Sequence, residues 1–196
     1  MARFALALAA TLACSTSVWA QTAPPAADAK PEKWDVNAPP GMTTHKVPIA
    51  VDEGSWMNVD VAPDGRTIAF DLLGDIYTMP IEGGTPTRIA EGLAYEHQPR
   101  FSPDGKRIAF VSDRGGGDNI WLMNRDGSDK RQLSKEEFRL LNQPSWSPDG
   151  QFIVAKKHFT TGRSLGTGEV RMYHISGGGG VPLVKKPNER HQKELG

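Results

Sequence analysis

Phe101-Ser-Pro-Asp-Gly-Lys-Arg-Ile-Ala-Phe110 is one of three copies of a single pattern. Val61-Ala-Pro-Asp-Gly-Arg-Thr-Ile-Ala-Phe70 precedes it, and Trp146-Ser-Pro-Asp-Gly-Gln-Phe-Ile-Val-Ala155 follows it. The shared aspartates are Asp64, Asp104 and Asp149, spaced by 40 and 45 residues. That is the length of a four-stranded propeller blade. Pro presets φ for a turn, Asp bonds its own backbone, and Gly takes a positive φ. Asp64-Gly65, Asp104-Gly105 and Asp149-Gly150 therefore join two antiparallel strands tightly. After each turn, Ile68/Phe70, Ile108/Phe110 and Ile153/Ala155 fall on one face at period two.

A third strand follows at Asp75–Met79, Asn119–Met123 and Glu169–Tyr173. A second glycine turn comes next, and a short fourth strand ends in Arg88-Ile89, Gln132-Leu133 or Leu183-Val184. From third to fourth strand the offset is 13, 13 and 14 residues. From turn Asp to third strand it is 12, 16 and 21. The length variation thus sits in the second-to-third loop, at the end of the blade that also carries the connections between blades. Variable loops on a rigid scaffold are where function gathers.

The reading is an all-β fold of β-propeller blades, each a four-stranded antiparallel meander. The blades span about 56–90, 97–134 and 142–185. Ile49 precedes Asp64 by 15 residues, as Ile89 precedes Asp104. His45–Val51 is therefore read as an orphan fourth strand, giving three complete blades plus one strand. Propellers close with about four to eight blades. This incomplete propeller is expected to be a piece of a longer protein. Pairing two such chains does not help on this reading, because the orphan strand still lacks its blade.

Ahead of the repeats, Arg3, the apolar run Phe4–Ala13 and Val18-Trp19-Ala20 read as a signal peptide over 1–20. The run is too short to span a bilayer. The expected location is periplasmic or secreted. Residues 21–44, with Pro24, Pro25, Pro31, Pro39 and Pro40, read as a Pro/Ala-rich linker before the propeller segment 45–196. The single cysteine, Cys14, leaves with the signal. Across 196 residues, 23 Lys and Arg balance 23 Asp and Glu, with no basic stripe. Nucleic acid and anionic membrane are disfavoured as partners.

The Ser-Pro-Asp-Gly-x-x-Ile-Ala-Phe pattern, with Ser112-Asp113-Arg114 and Ile120-Trp121-Leu122-Met123 after it, resembles the TolB-like, WD-repeat-like propeller family. The resemblance covers about 45–190. Only 24 residues separate the signal from His45, so propeller-first architectures fit better than TolB itself. Val59–Gly84 is most similar to the N-terminal propeller of secreted propeller-bearing amidohydrolases; serine peptidases with such a propeller are the second type. What this implies is a non-catalytic scaffold that holds or gates the catalytic domain of a larger periplasmic hydrolase. The alternative is a stand-alone TolB-like protein-binding module. Partners would be the remaining blades and catalytic domain of the parent, or another envelope protein.

Gly162-Arg163-Ser164-Leu165-Gly166 matches Gly-x-Ser-x-Gly, but no helix follows it as a nucleophile elbow requires. Asn124–Asp129 lacks the glutamate that ends a calcium loop. No His-x-His occurs among the five histidines. No catalytic residue, metal site or cofactor is therefore expected in this chain. The binding candidates are Glu96, His97, Gln98 and Arg100, with Asn142 and Gln143 as the blade-three equivalents. They enter innermost strands and should line one mouth of the channel. Tyr77, Phe101, Trp121 and Trp146 are read as packing between blades.

Overall fold

The structure is a computed structural model that describes residues 34–136, 140–158 and 168–184. The signal-peptide reading, most of the linker, and Gly162–Gly166 fall wholly or largely outside these residues.

Twelve strands form three sheets of four. The first holds β1 (Val59–Val61), β2 (Thr67–Leu72), β3 (Asp75–Pro80) and β4 (Thr87–Ala90). The second holds β5 (Glu96–Phe101), β6 (Arg107–Ser112), β7 (Asn119–Asn124) and β8 (Arg131–Gln132). The third holds β9 (Leu141–Trp146), β10 (Phe152–His158), β11 (Gly168–His174) and β12 (Val181–Pro182). Every neighbour is antiparallel and consecutive in sequence, so each sheet is the expected meander.

Two strand readings change. Residues 45–51 form no strand and are exposed. A strand exists only where another strand's edge meets its N–H and C=O groups, and none of the described sheets offers one there. The fourth strand of the third blade is Val181–Pro182, ahead of the expected Leu183-Val184. Val181 pairs with Met172, and this register, set by the glycine turn before it, fixes the strand's place.

The repeated turns form as their chemistry dictates. Gly65, Gly105 and Gly150 all take φ of +68°. Asp104 Oδ1 accepts from the Lys106 N–H (3.1 Å) and the Ser102 hydroxyl (2.6 Å). Asp149 accepts from the Gln151 N–H in the same way. Ala62 replaces that serine in the first blade, and there Arg125 of the second blade reaches Asp64 at 2.9 Å. The Ser102 and Ser147 hydroxyls, with backbone N–H groups, hold Asp104 and Asp149 below their ordinary value of 3.8. The Arg66 N–H and then Arg125 do the same for Asp64. A depressed carboxylate adds stability above its unfolded value and loses it as pH falls through the folded one. Stability should therefore decline on acidification below about pH 4. Replacing all three aspartates with asparagine should flatten that limb in urea titrations.

Each blade has a front and a rear face. Ala69, Ile76, Ile89 and Ala90 on the rear of blade one pack against Phe101, Ile108, Phe110 and Met123 on the front of blade two. Ala109, Val111, Ile120, Leu122 and Leu133 on the rear of blade two pack against Leu141, Ile153, Ala155 and Tyr173 on the front of blade three. Both faces of the middle sheet are buried at its two central strands, so β6 and β7 carry apolar residues on both sides. Phe101, Trp121 and Trp146 do pack between blades. Tyr77 does not: it stacks on Phe70 on the front of blade one, which faces no other described blade.

Blades approach closely at Gly127, in the turn between β7 and β8. Its φ is +85°, and a Cβ there would lie 2.3 Å from the Ile89 carbonyl oxygen of blade one. Backbone cannot yield as a flexible side chain does. Gly127→Ala should destabilise by more than the ~1 kcal/mol of an ordinary αL substitution, seen as a lowered urea midpoint.

Candidate functional site

In a meander, alternate turns lie at opposite ends. The three Pro-Asp-Gly turns mark one end of the blades. The other end carries the connections Glu91–Tyr95 and 133–140, with the second-to-third strand loops. Those loops are a two-residue turn at Leu73-Gly74, a longer one at 113–118, and the longest after His158. Glu96, His97, Gln98, Asn142 and Gln143 all sit at this variable end, as the spacing requires. Arg100 lies deeper, paired across strands with Ala109.

Glu96 is fully buried, and its Oε1 accepts from Arg114 Nε at 2.9 Å and from Arg114 Nη2. Arg114 also donates to the Glu91 carbonyl, while Asp113 accepts the Tyr95 N–H at 2.8 Å. Asp113-Arg114 thus clamps the connection from blade one to blade two. Burial pushes the Glu96 carboxyl above its ordinary value, and Arg114 opposes this. His97 is buried and packs its ring 5.1 Å from Tyr95.

Gln98 and Gln143 take φ of +56° and +55°, each just before a proline. The β5–β6 register shifts between His97 and Arg100, and the β9–β10 register shifts nearby. These bulges turn the Gln98 N–H toward Asp71 Oδ2 of blade one (2.7 Å) and the Gln143 N–H toward Gln98 Oε1 (2.6 Å). Asp71 also accepts from the Asn58 backbone N–H and side-chain amide, each at 2.8 Å. A hydrogen-bonded arc, Asp71–Gln98–Gln143, therefore links all three blades at the mouth. Deeper, the Phe101 N–H donates to Asp60 (2.7 Å), and the Trp146 indole N–H donates to the Arg100 carbonyl (3.0 Å). Arg100 itself donates to the carbonyls of Pro99 (2.8 Å) and Val59 (3.3 Å). Both partners are backbone carbonyls, not acids. The Asn142 side-chain oxygen is buried without a hydrogen bond.

The site is thus largely a set of inter-blade ties. Sequence reasoning missed Asp71, Asp113 and Arg114, although an Asp or Arg closing an otherwise apolar second strand was a visible signal. Asp71→Ala would leave the half-buried N–H groups of Asn58 and Gln98 without their carboxylate acceptor. It should destabilise by about 1 kcal/mol for each, measured as a lowered urea midpoint.

Between blades two and three lies a second polar group. Glu136 pairs with Lys157 (2.7 Å) and accepts from the Tyr173 hydroxyl (3.2 Å). Burial, then Glu136, raises the Tyr173 phenol, so it stays neutral across the physiological range. His158 is buried with both ring nitrogens lacking a hydrogen-bond partner. Burial, then Lys156, lowers its affinity for a proton, and Asp118 opposes them. Among the described residues, no three His, Cys, Asp or Glu side chains converge to hold a metal ion. No described helix is long and apolar enough to cross a membrane.

The chain matches the tricorn protease N-terminal beta propeller domain over residues 54–192. It is 26% identical over 122 residues to a candidate Tricorn-like protease C-terminal subunit of Sulfurisphaera tokodaii, covering 62% of this chain and 14% of that protein. It is 29% identical over 115 residues to the uncharacterized peptidase YuxL of Bacillus subtilis, covering 53% of this chain and 17% of that protein. The chain therefore spans a minor part of these relatives. A solved structure of a TolB candidate from Agrobacterium tumefaciens superposes with a TM-score of 0.56 at 28% identity, covering 63% of this chain and 47% of that one. The TolB-like resemblance holds. The amidohydrolase type expected from Val59–Gly84 finds no support in these relatives, two of which are described as a protease subunit and a peptidase. Three sheets of four strands, packed front to rear, and a match across most of the repeats place this chain in the family of tricorn protease N-terminal beta propeller domains.

Proposed function

We propose that this chain is the propeller module of a larger peptidase of the serine type, acting outside the cytoplasm. The propeller holds the catalytic domain and gates access to it. The observation that carries this reading is the family match over 54–192, joined to relatives described as a protease subunit and a peptidase. The site agrees with a scaffold role, since Glu96, Gln98 and Arg100 spend their polar groups on ties within and between blades.

An antibody raised against residues 41–55, exposed throughout, would isolate the native protein from its source. A fluorophosphonate probe should label the isolated material, and peptide hydrolysis should survive a chelator. Hydrolysis abolished by the chelator, with no label, would return the reading to an amidohydrolase. The absence of any hydrolysis would favour the TolB-like binding module, which the superposition on the Agrobacterium structure supports. Amino-terminal sequencing of the same material should begin at Gln21, and a start at Met1 would contradict export by cleavage after Ala20.

A further inference from the structure

The hairpin turn between β2 and β3 breaks the rule that governs its own geometry. Leu72 pairs with Asp75, so Leu73-Gly74 is a two-residue turn, with φ of +54° at Leu73 and +86° at Gly74. Positive φ at both positions is the type I′ turn, which favours Asn-Gly. Leucine is strained there, because its Cβ crowds the following carbonyl. Packing does not explain the choice either, since Leu73 is 71% exposed. A residue that strains its turn and adds nothing to the core points to a role outside the fold.

Leu73 is not alone. Gly74 is buried beneath Tyr95: a Cβ at Gly74 would lie 3.0 Å from Tyr95 Cδ2, and the Gly74 carbonyl accepts the Glu96 N–H at 2.8 Å. Tyr95 is itself 46% exposed, and Leu93, two residues earlier in the same connection, is 48% exposed. The turn and the connection thus set three exposed apolar side chains at the variable end, where blade one passes into blade two. Blades stack through their faces, and both blades at this junction are described. Further blades of a ring therefore leave these three side chains uncovered. The opposite end differs. Its turns expose Arg66, Lys106, Asp126 and Gln151, with Ile81 the one exposed large apolar side chain among the described turn residues there.

We propose that Leu73, Leu93 and Tyr95 form the apolar contact on which the catalytic domain of the larger peptidase sits. This rests on the reading of the chain as a peptidase's propeller. Contacts between domains of one chain resemble protein–protein interfaces, whose buried centres are apolar and rich in tyrosine. Of the two ends, this one offers such a centre and the other offers charge. A domain seated here also stands beside the mouth tied by Gln98 and Gln143, as gating requires.

The larger protein carries the test, as Leu73→Cys and Lys106→Cys variants treated with a maleimide. Both residues are exposed in the propeller, so the propeller alone protects neither. Trypsin then releases Thr67–Arg88 and the segment 101–107, and mass spectrometry reads the labelling of each. Labelling at 73 is expected to be at least about tenfold slower than in urea, and labelling at 106 within about threefold of it. Labelling at 73 as fast as in urea, in a protein that a fluorophosphonate still labels, would overturn the contact and leave the peptidase reading standing. Protection at 73 without fluorophosphonate labelling would support the contact and overturn the peptidase reading. Leu73→Asn gives the turn its preferred residue, so it leaves the fold and its circular dichroism spectrum intact. Limited proteolysis should nevertheless part the two domains at least about threefold faster in Leu73→Asn than in the wild type. An unchanged rate would also overturn the proposal.

Discussion

Arg114→Met is expected to destabilise the folded chain by about 3–5 kcal/mol at neutral pH. The variant keeps the apolar stem of the side chain but strands the Glu96 carboxylate, which has no exposure to water. Both bonds to Glu96 Oε1 come from Arg114, and Oε2 has no partner. Arg114 also holds the Glu91 carbonyl, so the connection between blades one and two loosens with it. The sign of the pH dependence follows from burial. Burial already holds the Glu96 carboxyl above its ordinary 4.5 against the pull of Arg114. An acid with a raised value favours the fold below its unfolded value, and that contribution is lost as pH rises through the folded value. Without Arg114 the rise is larger, so the variant's deficit should shrink as pH falls toward 4.5. Glu96→Gln with Arg114→Met should be more stable at neutral pH than Arg114→Met alone, since no charge is then buried. Urea titrations of the single and double variants at both pH values check this. An equal deficit at both would mean that Arg114 acts through its packing or the Glu91 contact, not through Glu96.

Phe110→Ala is expected to lower stability by about 3–5 kcal/mol. Phe110 is fully buried at the centre of the front of blade two, among Ile76, Ile89, Ile108 and Met123. Two sheets fix this cavity from either side, so it cannot collapse without parting the blades. Phe70 holds the same repeat position on the front of blade one, where no described blade covers it. Phe70→Ala should therefore remove less stability than Phe110→Ala. Urea titrations of the two variants check this.

The blades were legible because their signals are local. A Pro-Asp-Gly turn and an alternating Ile/Phe strand each report on a few neighbouring residues. The face a residue occupies was legible too, since Ile108 and Phe110 share a period-two register. What the sequence could not show is where an N–H points when the strand is interrupted. Gln98 and Gln143 adopt positive φ before proline, a conformation composition does not announce for glutamine. Their conversion from channel lining into inter-blade ties followed from that bulge. The Glu96–Arg114 pair was hidden for a related reason: the two residues lie 18 positions apart and meet only after two strands have paired. The strand expected at 45–51 failed because an offset can mark a place for a strand without supplying the edge that makes one. Tyr77 failed because a front face is an interface only where another blade's rear arrives.

Each sheet comes from one uninterrupted run of chain, 59–90, 96–132 and 141–182. A ribosome adding about 5–20 residues per second releases such a run every few seconds. Hairpins close in about 1–10 μs, so a blade has ample time to fold before its successor emerges. The earlier blade's rear is then already in place as a template for the later blade's front. Growth proceeds in one direction, from the amino end, each strand pairing with the one before it. A chain made without its leader, and stalled once half of the third meander has left the ribosome, should therefore carry two finished blades, and a protease should cut only the chain still emerging.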